Sequence, residues 1–292
     1  MAVLVGPQTK VLCQGMTGRA ATFHCGRMLS YGTEIVGGVV PGKGGSRHLD
    51  LPVFNKVRQA VEATGADATM VFVPPDNAAA AIIEAIEAEI ALIVCVTERI
   101  PVLDMVRVRQ ALAGSKSRLI GPNSQGLLVP GVTQLGVMST VDASPGRIGI
   151  ASRSASLTSE IVLQTTRAGL GQSTTIGVGG DPVHGVDLKT CVELFLSDPA
   201  TDGIIVVGEI GGTDEEEVAE LIAGLKPAKP IVALVAGRHA PPERRMGHAG
   251  AFASSSGGGT ALSKIASLEA AGAIIAPNAA GVGETMRQAL AA

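Results

Sequence analysis

The chain has 292 residues, 46% of them hydrophobic but only 2% aromatic, with 38 glycines and a formal net charge of −3. That length allows one large domain or two ordinary ones, with enough chain to bury a substantial core. The weak negative charge, with no Lys/Arg run and no basic-aromatic interleaving, argues against a nucleic-acid partner, and no 18-residue apolar run is present to span a membrane.

Ala, Val, Ile and Leu segments joined by glycine turns read as an α/β protein. Val11 to Gln14 is a short apolar strand, followed by the turn Gly15-Met16-Thr17-Gly18-Arg19-Ala20 and a helix to about Tyr31. Such a turn leaves backbone N–H groups at the positive end of a helix, where a phosphate can sit. Its spacing is not G-x-G-x-x-G, and after the second strand, Ile35 to Val39, the chain offers Pro41-Gly42-Lys43-Gly44-Gly45 instead of the acidic residue that a NAD ribose needs. Lys43 favours a ligand with an additional phosphate, so coenzyme A fits better than a nicotinamide cofactor. The bland alternatives are a mere tight turn and a solvated lysine.

Strands follow at Thr69 to Val73, Leu92 to Thr97 and Arg118 to Ile120, with helices at Asn77 to Ala88 and Val102 to Leu112. The alternation implies right-handed crossovers and a parallel sheet whose ligands lie at the carboxyl ends of the strands. Periodicity fades from Leu127 to Gly146, so residues 1–128 read as one domain, 129–146 as a linker and 147–292 as a second domain. Cys13, Cys25, Cys95 and Cys191 are widely spaced and read as reduced thiols, mostly within strands, and no metal site is implied. The N-terminus has no basic region followed by an apolar core, so a soluble cytoplasmic protein is expected.

In the second half, Ile148 to Ser152 is a strand leading through Ser152-Arg153-Ser154-Ala155-Ser156 into a helix that ends near Arg167. Serines at a helix start cap its N–H groups, and those groups can hold a phosphate. Strand Thr174 to Val178 runs into Gly179-Gly180-Asp181-Pro182, and strand Gly203 to Val207 into Gly208-Glu209-Ile210-Gly211-Gly212. Strand Ile231 to Ala236 leads to Arg244-Arg245-Met246-Gly247-His248-Ala249-Gly250, followed by a Ser/Gly run from Ser254 to Gly259. Helices near Ala261 to Ala270 and Ala280 to Ala291 bracket a last strand, Ala273 to Ala276.

His248 has only small neighbours and reads as a nucleophile that a phosphoryl group can approach. Glu209, a carboxylate among glycines, can accept its Nδ1 proton and leave Nε2 for attack. The alternatives are a hydrogen-bonded structural histidine and a helix-capping glutamate.

The motifs Cys-Gln-Gly-x-Thr-Gly (13–18), Val-Pro-Gly-Lys-Gly-Gly (40–45), Gly-Pro-Asn (121–123), Ser-Arg-Ser (152–154), Gly-Gly-Asp-Pro (179–182), Gly-Glu-Ile-Gly-Gly (208–212) and Arg-Met-Gly-His-Ala-Gly-Ala (245–251) occur in that order. Together they resemble the α subunit of succinyl-CoA synthetase over nearly the whole chain. The resemblance implies a Rossmann-like CoA-binding domain, then a flavodoxin-like domain whose histidine is transiently phosphorylated. It also implies a separate ATP-grasp β subunit, in an αβ or α2β2 assembly, that binds ATP or GTP with Mg²⁺. Carried over residue by residue, Thr17, Gly18, Arg19, Ala20, Lys43, Val96, Thr97 and Glu98 would contact CoA. His248 would be the phosphorylated residue, Glu209 its orienting carboxylate, and Ser154, Ala155 and Ser156 a helix end that holds the phosphohistidine.

The chain departs from the family where the acid is expected to lie. Asn123-Ser124-Gln125-Gly126 replaces the family's Asn-Cys-Pro-Gly, and Ser159 stands where the family has tyrosine, so Gln125 and Ser159 are the expected substrate contacts. The implied activity is acid–CoA ligation, with succinate as the default acid and malate or another carboxylic acid as the alternative. A nicotinamide-dependent dehydrogenase, disfavoured by the turn spacing and Lys43, and a non-catalytic CoA-binding regulator are the readings outside that class. This chain carries no P-loop sequence, so the nucleotide site falls to the partner.

Overall fold

A computed structural model describes residues 3–241, 243–253 and 259–292, and the chain divides into two compact units. Most of the Ser254 to Gly259 run lies outside the described residues.

The first unit comprises Leu4–Met138 and Val183–Gly185. Its strands are β1 (Val11–Gln14), β2 (Ile35–Val39), β3 (Arg47–His48), β4 (Leu51–Phe54), β5 (Ala68–Val71), β6 (Leu92–Cys95), β7 (Arg118–Ile120), β8 (Gly126–Val129) and β9 (Thr133–Gly136). Its helices are α1 (Arg19–Tyr31), α2 (Val57–Thr64), α3 (Pro75–Glu87) and α4 (Val102–Leu112). The first seven strands form one sheet in the order β3-β4-β2-β1-β5-β6-β7, parallel except for the β3/β4 pair. Every residue of β1, β5 and β6 is buried, as a parallel sheet covered on both faces requires. Leu12, Val71, Ile82, Ile93, Val108 and Leu119 belong to its core, each contributing about 1.5–3 kcal/mol through burial. Because β2 lies on one side of β1 and β5 on the other, the chain reverses direction across the sheet at β1, and a crevice opens at the strands' carboxyl ends.

The second unit comprises Ser139–Pro182 and Val186–Ala292, joined by Val3, whose N–H donates to Thr174 Oγ1 at 3.4 Å. It contains β10 (Pro145–Ser152), β11 (Gln172–Gly177), β12 (Gly203–Glu209), β13 (Ile231–Ala236) and β14 (Ile274–Ile275). Its helices are α5 (Ala155–Arg167), α6 (Leu188–Ser197), α7 (Asp214–Leu225), α8 (Ala261–Ala271) and α9 (Val282–Ala291). These strands pair in parallel in the order β11-β10-β12-β13-β14, the flavodoxin-like arrangement, with its switch point between β10 and β12. Ile148, Ile150, Val207, Val232 and Met286 are part of the core packed on this sheet.

Several expectations change. The stretch 129–146, expected as a linker, holds the end of β8, all of β9 and the start of β10, and the boundary between the units falls at Met138/Ser139. β8 and β9 pair antiparallel and all eight of their residues are buried, but four-residue strands bounded by glycine are too short to show a period. Helix α2 was not expected because its cap is tertiary: Glu84 Oε1, from α3, accepts the Val57 N–H at 3.1 Å. Helix α6 also lay outside the expectations, although Asp187 caps it from the local sequence, accepting the Thr190 N–H at 2.7 Å. All four cysteines are buried, but only Cys13 and Cys95 lie in strands; Cys25 is on α1 and Cys191 on α6. Among the described residues no helix is long and apolar enough to cross a membrane.

Candidate active site

In the first unit the expected CoA contacts gather at the carboxyl edge of the sheet. Gly18 is the N-cap of α1 without any side-chain cap, and Arg19 and Ala20 form the exposed start of that helix. Their first-turn N–H groups have no acceptor within the helix and are open to an anion. Lys43 Nζ, from the turn after β2, donates to Thr17 Oγ1 at 2.9 Å, so the hydroxyl and the ammonium form one polar rim. Val96, Thr97 and Glu98 follow β6, two strands from β1, and Thr97 Oγ1 donates to the Val73 carbonyl at 2.6 Å. Glu98 is exposed and makes only a loose ion pair with Arg99 at 3.7 Å.

In the second unit the switch point brings Ser154 and Glu209 together. Strands β10 and β12 are neighbours, in register at Ser152 and Val207, so the turn after β10 and the end of β12 lie side by side. Glu209 is the final residue of β12, which runs two residues beyond the expected end at Val207. Ser154 caps α5, accepting the Leu157 N–H at 3.3 Å, while Ala155 and Ser156 present first-turn N–H groups at the positive helix end. His248 rides on a loop after β13 that is closed by two backbone pairs, Met246 N to Ala251 O at 2.9 Å and Glu243 N to Ala253 O at 3.0 Å.

The His248 ring meets Glu209, with Nδ1 and Glu209 Oε2 2.7 Å apart. A carboxylate accepts, so Nδ1 carries the proton and Nε2 keeps its lone pair. Glu209 does not cap α7, whose N-cap is Thr213. A cavity of about 520 Å³ opens over the ring, and Ser154, Glu209, Arg238, His239 and Met246 are among its lining residues. The imidazole lies against the peptide of Gly180, where an added Cβ would fall inside the van der Waals envelope of Cγ, Nδ1 and Cδ2.

The hydrogen bond to Glu209 holds the His248 pKa above the ordinary imidazole value; burial and the charge on Arg153 work against it, and Asp181 works with it. Arg153, whose side chain is only 3% exposed, stands between two carboxylates, with Nε 3.4 Å from Glu209 Oε1 and Nη1 3.4 Å from Asp214 Oδ2. It therefore pairs with Glu209 through the carboxylate oxygen that the histidine does not take.

Arg153, Asp181, Asp214 and Gly180 were not among the expected site residues, although three of them fall within or beside expected motifs. The readable signal for Arg153 is a charged side chain directly following the buried run Ile148 to Ser152. Of the expected acid contacts, Ser159 is exposed on α5, and Gln125 is 6% exposed in the first unit, its backbone carbonyl accepting the Val137 N–H at 2.9 Å.

Residues 7–99 match the CoA binding domain family, and residues 151–274 match the CoA-ligase family. The chain is 48% identical over 292 residues to the α subunit of an ADP-forming succinate–CoA ligase from Aquifex aeolicus, covering 99% of this chain and 95% of the relative. It is 47% identical over 290 residues to α subunit 2 of an ADP-forming succinate–CoA ligase from Archaeoglobus fulgidus, covering 99% and 100%. Among solved structures, ATP citrate lyase from Methanothrix soehngenii, in complex with citrate and coenzyme A, superposes with a TM-score of 0.87 at 25% identity. That match covers 99% of this chain and 50% of the lyase chain, so this chain spans about half the length of the lyase. Full-length identity near one half to both ligase subunits, together with the two domain matches in the same order, places the chain in the family of ADP-forming succinate–CoA ligase α subunits.

Proposed function

We propose that the chain is the α subunit of a nucleoside-diphosphate-forming acid–CoA ligase, with succinate as its acid and His248 as its phosphoryl carrier. The observation that carries this reading is the 2.7 Å contact of His248 Nδ1 with Glu209 beside the N-terminus of α5, which leaves Nε2 as the attacking nitrogen. Nε2 attacks the γ-phosphorus of the nucleotide, an N–P bond forms, and the bond to the departing nucleoside diphosphate breaks. The Nδ1 proton stays in place, and Glu209 balances the positive charge that develops on the ring. The first-turn N–H groups at Ala155 and Ser156 face the negative charge of the phosphoryl group.

The phosphoryl group then passes to a carboxylate oxygen of the acid, breaking the N–P bond and giving an acyl phosphate. The sulfur of the CoA thiol forms the C–S bond at the acyl carbon as the C–O bond to phosphate breaks, and the departing phosphate takes the thiol proton. Gly18, Arg19, Ala20, Thr17 and Lys43 hold the anionic end of CoA, with Val96, Thr97 and Glu98 at the same sheet edge. The nucleotide, ATP or GTP, and its Mg²⁺ bind an ATP-grasp β subunit, in keeping with relatives that are named as α subunits.

Incubation of the chain and its partner with γ-labelled ATP and Mg²⁺ tests the assignment. Acid-labile label is expected on the wild-type chain and none on His248→Asn; label retained in the variant would sink it. Assaying the complex against a panel of dicarboxylates reads the acid. If Ser159 and Gln125 enlarge the acid site, malate or a bulkier acid outperforms succinate, and a clear succinate optimum rules that enlargement out.

A further inference from the structure

The strand end that presents Glu209 is fastened from behind by two buried charged residues that take no part in the chemistry above. Strand β10 is paired with β12 only as far as Ser152, opposite Val207. Backbone groups alternate sides along a strand, so the Glu209 N–H points to the side that β10 has already left. Glu215, in the first turn of α7, supplies the missing acceptor: its Oε1 takes the Glu209 N–H at 2.8 Å. The approach is close enough that a Cβ at Gly208 would overlap the Glu215 side chain.

Glu215 is held in turn by Lys264 of α8. Both side chains are 0% exposed, and Lys264 Nζ donates to Glu215 Oε2, to Glu216 Oε2 at 2.8 Å and to the Gly212 carbonyl at 3.0 Å. A continuous line of bonds thus runs from α8 through α7 and the Glu209 backbone to the carboxylate on His248. As a device for stability alone, a buried ion pair is poor, because desolvation offsets its Coulomb energy and an apolar pair of similar volume serves as well. An apolar pair cannot supply an acceptor aimed at the Glu209 peptide.

We infer that Glu215 and Lys264 are positioning residues for the phosphoryl carrier: Glu215 fixes the Glu209 peptide, Lys264 fixes Glu215, and the Glu209 carboxylate is thereby presented to His248 Nδ1. The inference deepens the ligase reading and rests on it for its catalytic meaning, but the geometry can be tested separately. The charged groups that act on the ring are Glu209, Arg153 and Asp181, and none of them is altered in the test.

Two double variants, Lys264→Met/Glu215→Gln and Lys264→Met/Glu215→Met, both remove the buried charges and differ only in whether an acceptor faces the Glu209 N–H. Each is prepared as the full chain with its partner subunit and ¹⁵N-labelled histidine, and the His248 signals are identified by their loss in His248→Asn. In the Met/Gln pair, the ring titration, the Nδ1–H tautomer and the phosphorylation rate stay within about threefold of wild type. In the Met/Met pair, the titration returns toward ordinary imidazole, both tautomers are seen, and phosphorylation and kcat fall about tenfold while KM for CoA and for the acid stays unchanged. Identical ring titrations and tautomers in the two pairs would overturn the inference. If a double variant is not recovered, the single variants Glu215→Gln and Glu215→Met give the same comparison, because Lys264 keeps Glu216 and Gly212. Absence of nucleotide label on wild-type His248 would instead count against the ligase reading and would leave the ring comparison to decide the positioning role.

Discussion

Exchanging Glu209 for glutamine keeps the side-chain volume and removes the charge from the bond to His248. The bond is 2.7 Å long and the Glu209 side chain is only 10% exposed, so water replaces little of what is lost. A hydrogen bond to a charged group contributes about 1.5–3 kcal/mol, which corresponds to roughly 10- to 160-fold in rate when the ring becomes positive in the transition state. An opposing effect exists. Without Glu209 the His248 pKa falls toward the ordinary value, and more of the ring is neutral at the start. That gain vanishes as pH rises and the wild-type ring itself becomes neutral, so on the high-pH plateau the loss dominates.

The assay is the rate of acid-labile label incorporation from γ-labelled ATP, followed across the neutral range of pH. Glu209→Gln is expected to lower the plateau roughly 10- to 160-fold and to move the acid limb to lower pH. An unchanged plateau with the acid limb in place would refute the argument. The same contact also sets a stability profile. Because the folded-state pKa of His248 is raised, its stabilisation is fully present below the unfolded value of about 6.5 and is lost as pH rises through the folded value. The Tm difference between wild type and Glu209→Gln is therefore largest on the acid side of that window.

Gly180→Ala places a methyl group against the His248 ring and pushes it off Glu209, so labelling is lost while the far-ultraviolet circular dichroism and Tm stay close to wild type. Arg153→Met leaves Glu209 and Asp214 buried without their shared cation; urea titration is expected to show a loss of about 3–5 kcal/mol, and the His248 titration moves up because Arg153 holds it down. Lys43→Ala removes the ammonium beside Thr17 and should weaken CoA binding by calorimetry about three- to tenfold, with His248 labelling intact. Unchanged CoA affinity would place the anionic end of CoA elsewhere.

The sequence by itself determined the strand–turn–helix alternation, because apolar strands buried on both faces must be continuous apolar runs and the glycine turns between them are local. It also singled out the positions to which the proposed chemistry is assigned: Gly15 to Ala20, Lys43 and Glu209 stand at or shortly beyond strand ends, and His248 follows in the loop after β13. The β8/β9 hairpin escaped because its strands are shorter than any detectable period, and α2 because its cap comes from Glu84, 27 residues away. The pairing of Glu209 with His248, 39 positions apart, was an expectation from residue chemistry and family resemblance, and the tertiary structure brought the two within 2.7 Å. That contact depends on β10, β12 and β13 lying side by side, which follows from sheet order and not from any local pattern. The tertiary structure alone decided the part played by Lys264, which sits in the buried stripe Ala261, Lys264, Ile265, Leu268 as though it were apolar. Only the fold brings Glu215, 49 positions earlier, to the same interior point, and a buried ammonium is tolerated only where a carboxylate meets it.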